Sequence, residues 1–263
     1  EDDLAVIVAF GGQIGIMWSN QNDSTMYFAR HVDGAPDDQW TLEIAYQRAE
    51  GSDDHINLKA DSSGRVYAAV KTSLNGPNDP LIHLLVRGTD GTWSSHVFGT
   101  VANNHTRPVV VIDESAGIVH MFASAPCCSG GKIYHKQTPI SNIVFPPGLG
   151  EVVLASSANT SINNVASTKQ AVSSATGLLI IAGDDSTRRY LHNFLPLGAV
   201  SAQSEAVLLT STVSQPGRSP GPFAGWWWVL PAIVLAWAAT RRPGARYGAG
   251  LVAPRATSVS DAE

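Results

Sequence analysis

The sequence predicts an all-β protein: a β-propeller of four-stranded antiparallel blades, four of them visible as part of a larger propeller, followed by one C-terminal transmembrane helix. Three observations predict it. A glycine-centred unit recurs four times at intervals of roughly 50 residues. Short apolar runs separated by turn residues fill each interval. One uncharged, tryptophan-rich stretch near the C-terminus runs directly into arginines.

The repeat aligns on Gly12, Gly64, Gly117 and Gly177. Each glycine ends a turn between two short apolar runs, a place where positive φ is useful and a β-carbon is not. The runs before the glycines are Leu4–Phe10, Ile56–Asp61, Val109–Asp113 and the weaker Ser167–Ser173. A third run follows each second one: Thr25–His31, Leu81–Arg87, Lys132–Gln137 and Arg188–Phe194. A fourth begins at Trp40, Trp93, Glu151 and Glu205. The inner runs are nearly all apolar and the outer ones alternate, as expected when inner strands are sandwiched between blades and outer strands meet water. The predicted blades are residues 1–50, 51–103, 104–160 and 161–213. The chain opens on an inner strand, so further blades and an export signal are expected upstream in the natural precursor, six to eight blades being typical of the class.

A Ser/Pro/Gly stalk over 214–222 leads into the predicted transmembrane helix, 223–240, whose Phe223–Ala239 core carries no charge. Trp226, Trp227 and Trp228 at one end and Trp237 near the other suit the two headgroup boundaries. Arg241, Arg242 and Arg246 follow, which places the basic tail, 241–263, in the cytoplasm and the propeller outside. The predicted partner of residues 223–240 is therefore the lipid bilayer, and the address is a cell membrane crossed once.

Composition agrees. Of 263 residues 44% are hydrophobic and only 15% charged, which excludes a disordered chain. Residues 1–222 carry 13 Lys/Arg against 20 Asp/Glu, and an acidic body excludes nucleic acid as a partner. The only cysteines, Cys127 and Cys128, are adjacent. They read as two loop thiols, with a vicinal disulfide as the alternative; no zinc site can be built from them.

Certain segments carry a family resemblance. Ile133-Tyr134-His135-Lys136 and Met26-Tyr27-Phe28-Ala29-Arg30 resemble the third strand of the bacterial-neuraminidase repeat of sialidase-like propellers. Thr89-Asp90-Gly91-Thr92-Trp93 is similar to that repeat's Asp-box, and Asp33-Gly34 with Trp40 is a looser version. The resemblance covers about residues 4–213. It implies that Asp90 caps a tight turn and that Trp93 packs between blades. It does not carry over the catalytic apparatus: the arginine-isoleucine-proline signature and the tyrosine–glutamate pair are missing. Arg30, Arg87, Arg188 and Arg189 fall on or beside third strands, toward the rim, and only Arg107 falls where a first strand begins.

The candidate site is a polar set at the starts of first strands, where loops from every blade converge on the channel. It comprises Asp54, His55, Asn57, Asn104, His105, Arg107 and Lys169, with Asp3, Asn164, Lys71 and Asp184 nearby. Carboxylate, amide, imidazole and cationic groups together suit sugar hydroxyls or a peptide. Pro108 is expected to hold Arg107 in extended backbone. No metal or cofactor site is read, because no carboxylate–histidine spacing of a metal motif supports His55 or His105 as ligands and neither acidic pair, Asp53-Asp54 or Asp184-Asp185, matches a calcium loop. The function expected is a surface-displayed recognition module for a glycan or protein. The alternative is a glycoside hydrolase of the sialidase-like group with catalytic residues partly upstream.

Overall fold

A computed structural model describes residues 5–127, 131–156 and 161–198, and all of them fall in an all-β unit. The predicted transmembrane helix, its stalk and tail, and the strand expected from Glu205 lie outside the described residues. Among the described residues no helix is long and apolar enough to cross a membrane.

Blade 1 is β1 (Ala5–Phe10), β2 (Gln13–Asn20), β3 (Thr25–Val32) and β4 (Thr41–Gln47), hydrogen-bonded in that order. Blade 2 repeats this with β5 (Ile56–Ala60), β6 (Val66–Lys71), β7 (Pro80–Arg87) and β8 (Trp93–Thr100). Blade 3 does so with β9 (Thr106–Asp113), β10 (Ile118–Ala125), β11 (Lys132–Pro139) and β12 (Glu151–Leu154). Blade 4 contributes β13 (Ile162–Ser167), β14 (Leu178–Asp184) and β15 (Arg189–Leu195). All pairings are antiparallel, and the first strands pack β1 on β5, β5 on β9 and β9 on β13. This is the blade-by-blade architecture that the repeat predicts.

The four repeat glycines sit in the turns between first and second strands with φ of 70°, 88°, 65° and 63°. Side-chain caps hold two of these turns. Asp61 accepts hydrogen bonds from the Ser63 and Arg65 amides, and Asp113 accepts one from Ala116. The turns lie together at one end of the blades, since the Ser62 amide of blade 2 donates to Glu114 of blade 3 at 3.0 Å. The opposite end, where first strands begin, is the mouth.

Three apolar cores hold the blades together, one per interface. Met17, Met26 and Phe28 of blade 1 meet Leu58, Val66, Ala68 and Leu85 of blade 2. Tyr67, Ile82, Leu84 and Phe98 of blade 2 meet Val110, Ile112 and Met121 of blade 3. Val109, Phe122 and Ile133 of blade 3 meet Ile162, Leu178 and Ile180 of blade 4. Each fully buried aliphatic or aromatic side chain contributes about 1.5–3 kcal/mol, so these interfaces dominate stability.

The segment Thr89–Trp93 forms the turn its resemblance implies. The Asp90 carboxylate accepts from the Thr92 amide at 3.0 Å, and Gly91 takes φ of 85°. Trp93 packs edge-on against Phe28 of blade 1, with centroids 5.3 Å apart. Arg87, expected toward the rim, is buried between blades 1 and 2 and bonds Glu43 there. Blade 4 also departs from expectation. Its first strand is Ile162–Ser167, and the Ser167–Ser173 run forms the loop after it. Ile162 and Val165 supplied the buried positions, whereas Lys169 and Gln170 are polar and exposed.

Candidate functional site

The mouth of blade 2 is built by the loop before β5. Ser52 anchors this loop to blade 1 by donating to the Asn20 carbonyl at 2.9 Å, and Lys71 at the end of β6 donates its amide to the His55 carbonyl. The anchored loop presents three consecutive titratable residues. The His55 Nδ1 atom lies 2.7 Å from Asp53 Oδ1 and 2.5 Å from Asp54 Oδ1. Lys71 Nζ donates to Asp53 Oδ2 at 2.5 Å. Burial raises the Asp53 pKa, but hydrogen bonds with His55, Asp54 and Lys71 outweigh it and hold the carboxyl well below its ordinary value. Both Asp53 oxygens are thus occupied, while Asp54, its side chain 27% exposed, is the more accessible acid. One oxygen of each carboxyl and one His55 nitrogen lie within 4.8 Å of one another.

Blade 3 adds Arg107. It is half-buried and takes φ of 52°, the left-handed region that side chains other than glycine, asparagine and aspartate rarely adopt. The cause is a bulge: β9 pairs Thr106 with Ser124 and Val109 with Phe122, so two residues face one. Pro108 therefore does not leave Arg107 extended, because the bulge sets its backbone. Among the described residues the Arg107 guanidinium has no hydrogen-bond or ion-pair partner. Blade 4 repeats the device. Asn163 pairs with Gly183 and Ala166 with Ile181, and Asn164 between them has φ of 57° and is exposed. Strained backbone of this kind costs on the order of 1–3 kcal/mol and concentrates at functional sites.

The structure separates the other candidates from this group. His105 is fully buried: its Nε2 lies 3.0 Å from the Leu149 carbonyl oxygen and its ring packs on Phe98, so it is a core residue. Asn57 accepts the Val110 amide at 3.1 Å and ties blade 2 to blade 3. Asn104 is exposed at the mouth in left-handed backbone, and its carbonyl accepts the Cys127 amide at 2.7 Å. Asp184 is buried and caps the turn before β15 through Ser186 and Thr187. Lys169 lies at the turn end, since the adjacent Thr168 carbonyl accepts a hydrogen bond from Lys59 near the far end of β5. Asp3 lies outside the described residues. Cys127 is disulfide-bonded, which replaces the reading of two loop thiols.

Asp53 is the member that sequence reasoning missed as a site residue. Its signal was present: an acid two residues before His55, with Lys71 facing it across the hairpin.

No protein-family model and no curated protein matches the chain. Solved structures similar in fold include a GH43 endo-arabinanase from Bacillus licheniformis. It is 17% identical over 72% of this chain and 71% of its own, with a TM-score of 0.41. An exo-β-1,3-galactanase from Clostridium thermocellum is 13% identical over 75% of this chain and 46% of its own, with a TM-score of 0.43. The intramolecular trans-sialidase from Ruminococcus gnavus is 14% identical over 73% of this chain and 41% of its own, with a TM-score of 0.42. The chain thus spans less than half the length of the last two. Overlaps this loose carry no argument about chemistry.

Proposed function

We propose that the protein is a membrane-anchored recognition module, displayed outside the cell, that binds a carboxylate-bearing glycan at the propeller mouth. The observation that carries this reading is Arg107. A half-buried guanidinium without a partner, held in strained backbone at the mouth, suits a bidentate carboxylate clamp. Asp54 and His55, at the mouth of blade 2, supply acceptor and donor groups for sugar hydroxyls, and Asp53 with Lys71 fixes their placement. Anchoring rests on the uncharged span, its tryptophans and the arginines that follow.

The spacing of the two acids favours binding over hydrolysis. Glycosidases flank the scissile bond with carboxyls about 5–5.5 Å or about 6.5–9.5 Å apart. Asp53 and Asp54 have oxygens within 4.8 Å and share one imidazole, so they do not straddle a sugar linkage by themselves. A hydrolytic reading draws on one observation, the Asp53 carboxyl kept ionised beside Asp54. It predicts release of fluorophore from a sialoside, arabinoside or galactoside by the full chain, abolished by Asp54→Asn.

The binding reading is tested by titrating the full chain in detergent with acidic oligosaccharides. Arg107→Ala should raise Kd roughly 10- to 150-fold, the equivalent of about 1.5–3 kcal/mol for a charge-assisted hydrogen bond. Lys169→Ala, at the turn end, should leave Kd unchanged. Equal affinity of the Arg107 variant and the wild type would end this reading.

A further inference from the structure

The loop before β5 brings together more acceptor atoms than its one imidazole proton can satisfy. A bend at Asp54 breaks the alternation of an extended chain, so the side chains of Asp53, Asp54 and His55 converge instead of pointing to opposite sides. His55 Nδ1 is within hydrogen-bonding distance of Asp53 Oδ1 and of Asp54 Oδ1 at once. One ring nitrogen carries at most one proton, and that proton cannot point straight at two oxygens. The two carboxyls also lie within hydrogen-bonding reach of each other, where two anions repel. Lys71 offsets one of the two negative charges, but through the other Asp53 oxygen, Oδ2. Two oxygens and one nitrogen from three half-buried side chains are left turned toward one point.

The surrounding loop holds them there. Ser52 bonds the Asn20 carbonyl of blade 1, and the Ser73 hydroxyl and amide donate to the Ser52 and Glu50 carbonyls. Gly51 packs so closely that a β-carbon there would fall 2.6 Å from the Arg48 carbonyl oxygen.

We propose that Asp53, Asp54 and His55 hold one divalent transition-metal ion, zinc by its ligand set, at the mouth of blade 2. Zinc bonds of about 2.0–2.2 Å to oxygen and nitrogen set neighbouring ligand atoms about 3.0–3.5 Å apart. His55 Nδ1 stands 2.7 Å and 2.5 Å from the two oxygens, so the trio need open by only about 1 Å or less. An imidazole with two carboxylates suits zinc or manganese, whereas calcium asks for about six to eight oxygens. On binding, Nδ1 gives up its proton to solvent, and the dication supplies a charge that both carboxylates share. Three protein ligands leave a fourth position open, as in zinc sites that take water or substrate there. A hydroxyl or carboxylate of the glycan coordinates at that position, a step that rests on the binding reading above.

The test is calorimetric titration of the full chain with zinc chloride, in detergent, after stripping with a chelator and without sugar. One saturable site per chain is expected. Asp54→Asn and His55→Gln should each raise Kd at least about 100-fold, the upper end of the loss caused by removing a partner one step further from an ion. Far-ultraviolet circular dichroism of both metal-free variants should match the wild type. Lys71→Met should act in the opposite direction and lower Kd roughly tenfold, because it removes a positive charge from beside the ion. A lysine with a purely structural role would not tighten binding when removed. His31→Gln, at the rim beside Trp40, should leave Kd unchanged and so excludes stray binding at another imidazole. No saturable site, or a site that neither Asp54→Asn nor His55→Gln weakens, overturns the inference. Because the titration contains no sugar, its failure leaves Arg107 as a clamp untouched. Once zinc is bound, an affinity for acidic oligosaccharides equal to that of the stripped protein would overturn the coordination of glycan at the open position.

Discussion

Glu43→Ala destabilises the protein by about 3–5 kcal/mol, the range expected when one partner of a buried ion pair is removed. Glu43 of β4 is the hub between blades 1 and 2. Its two oxygens accept from Arg87 Nε and Nη2, both at 2.7 Å, and also from the Trp93 indole at 3.0 Å and Arg30 Nε at 3.1 Å. Burial raises the Glu43 pKa, but these hydrogen bonds and the Arg87 charge bring it below the ordinary value, so the group is ionised in the fold. The Arg87 side chain is only 7% exposed and lies near the Phe10 and Phe28 rings. Truncating Glu43 leaves that guanidinium charged with its carboxylate gone, together with an unpaired indole N–H. At about 2–4 °C per kcal/mol for a chain of this size, the melting temperature should fall by roughly 10 °C. The double variant Glu43→Leu with Arg87→Met should lose less than Glu43→Ala alone, because no uncompensated charge remains. Arg48→Ala supplies the contrast. Its pair with Asp79 is half-exposed at 3.3 Å and contributes at most about 1 kcal/mol. Equal losses for Glu43→Ala and Arg48→Ala would refute the assignment of the hub.

Glu43 also marks the limit of what the sequence discloses. The repeat glycines were legible because positive φ is a local demand, and the inner strands because burial on both faces leaves a continuous apolar run. The Glu43 to Arg87 bond joins residues 44 apart in the chain. Nothing local distinguishes that glutamate from a solvated one. His105 is misplaced for the same reason: a histidine at a strand start is usually wet, and it is the Leu149 loop, returning from far along blade 3, together with the Phe98 and Tyr134 rings, that buries it. Lys169 was misplaced by length. Blade 4 has a longer segment between its first strand and its glycine than the other blades, so the run nearest the glycine is loop rather than strand. The left-handed backbone of Arg107 follows from a bulge, which depends on pairing across two strands and leaves no mark in composition.

Loss of stability in acid begins above the ordinary range of carboxylate titration. Burial pushes His83, His105 and His120 each down to about 4, and burial with the nearby His120 pushes His135 down to about 3. His120 and His135 stack in blade 3, Nδ1 of one 3.1 Å from Nε2 of the other. The Nε2 atoms of His83 and His120 and Nδ1 of His105 have no hydrogen-bond partner, so a proton added there would find no acceptor. In the unfolded chain all four titrate near 6.5. Below that pH the unfolded state binds protons that the fold refuses. Stability is therefore fully present above about 6.5 and is lost as the pH falls toward 4. Each refused proton costs about 1.4 kcal/mol per pH unit, and four together cost on the order of 5 kcal/mol per unit. Over one to three units that becomes comparable with the whole stability of an ordinary domain, about 5–15 kcal/mol. Asp53 and Glu43, both held below their ordinary values, add their losses only in more acidic solution. Circular dichroism of the full chain in detergent should show cooperative unfolding with a midpoint between roughly pH 4 and 6. Denaturant titrations at stepped pH should give a proton uptake near four on unfolding, reduced by one in His83→Gln. Stability that is flat from pH 7 to 4.5 would mean that these rings are protonated in the fold, and that the core between the blades is not dry at their positions.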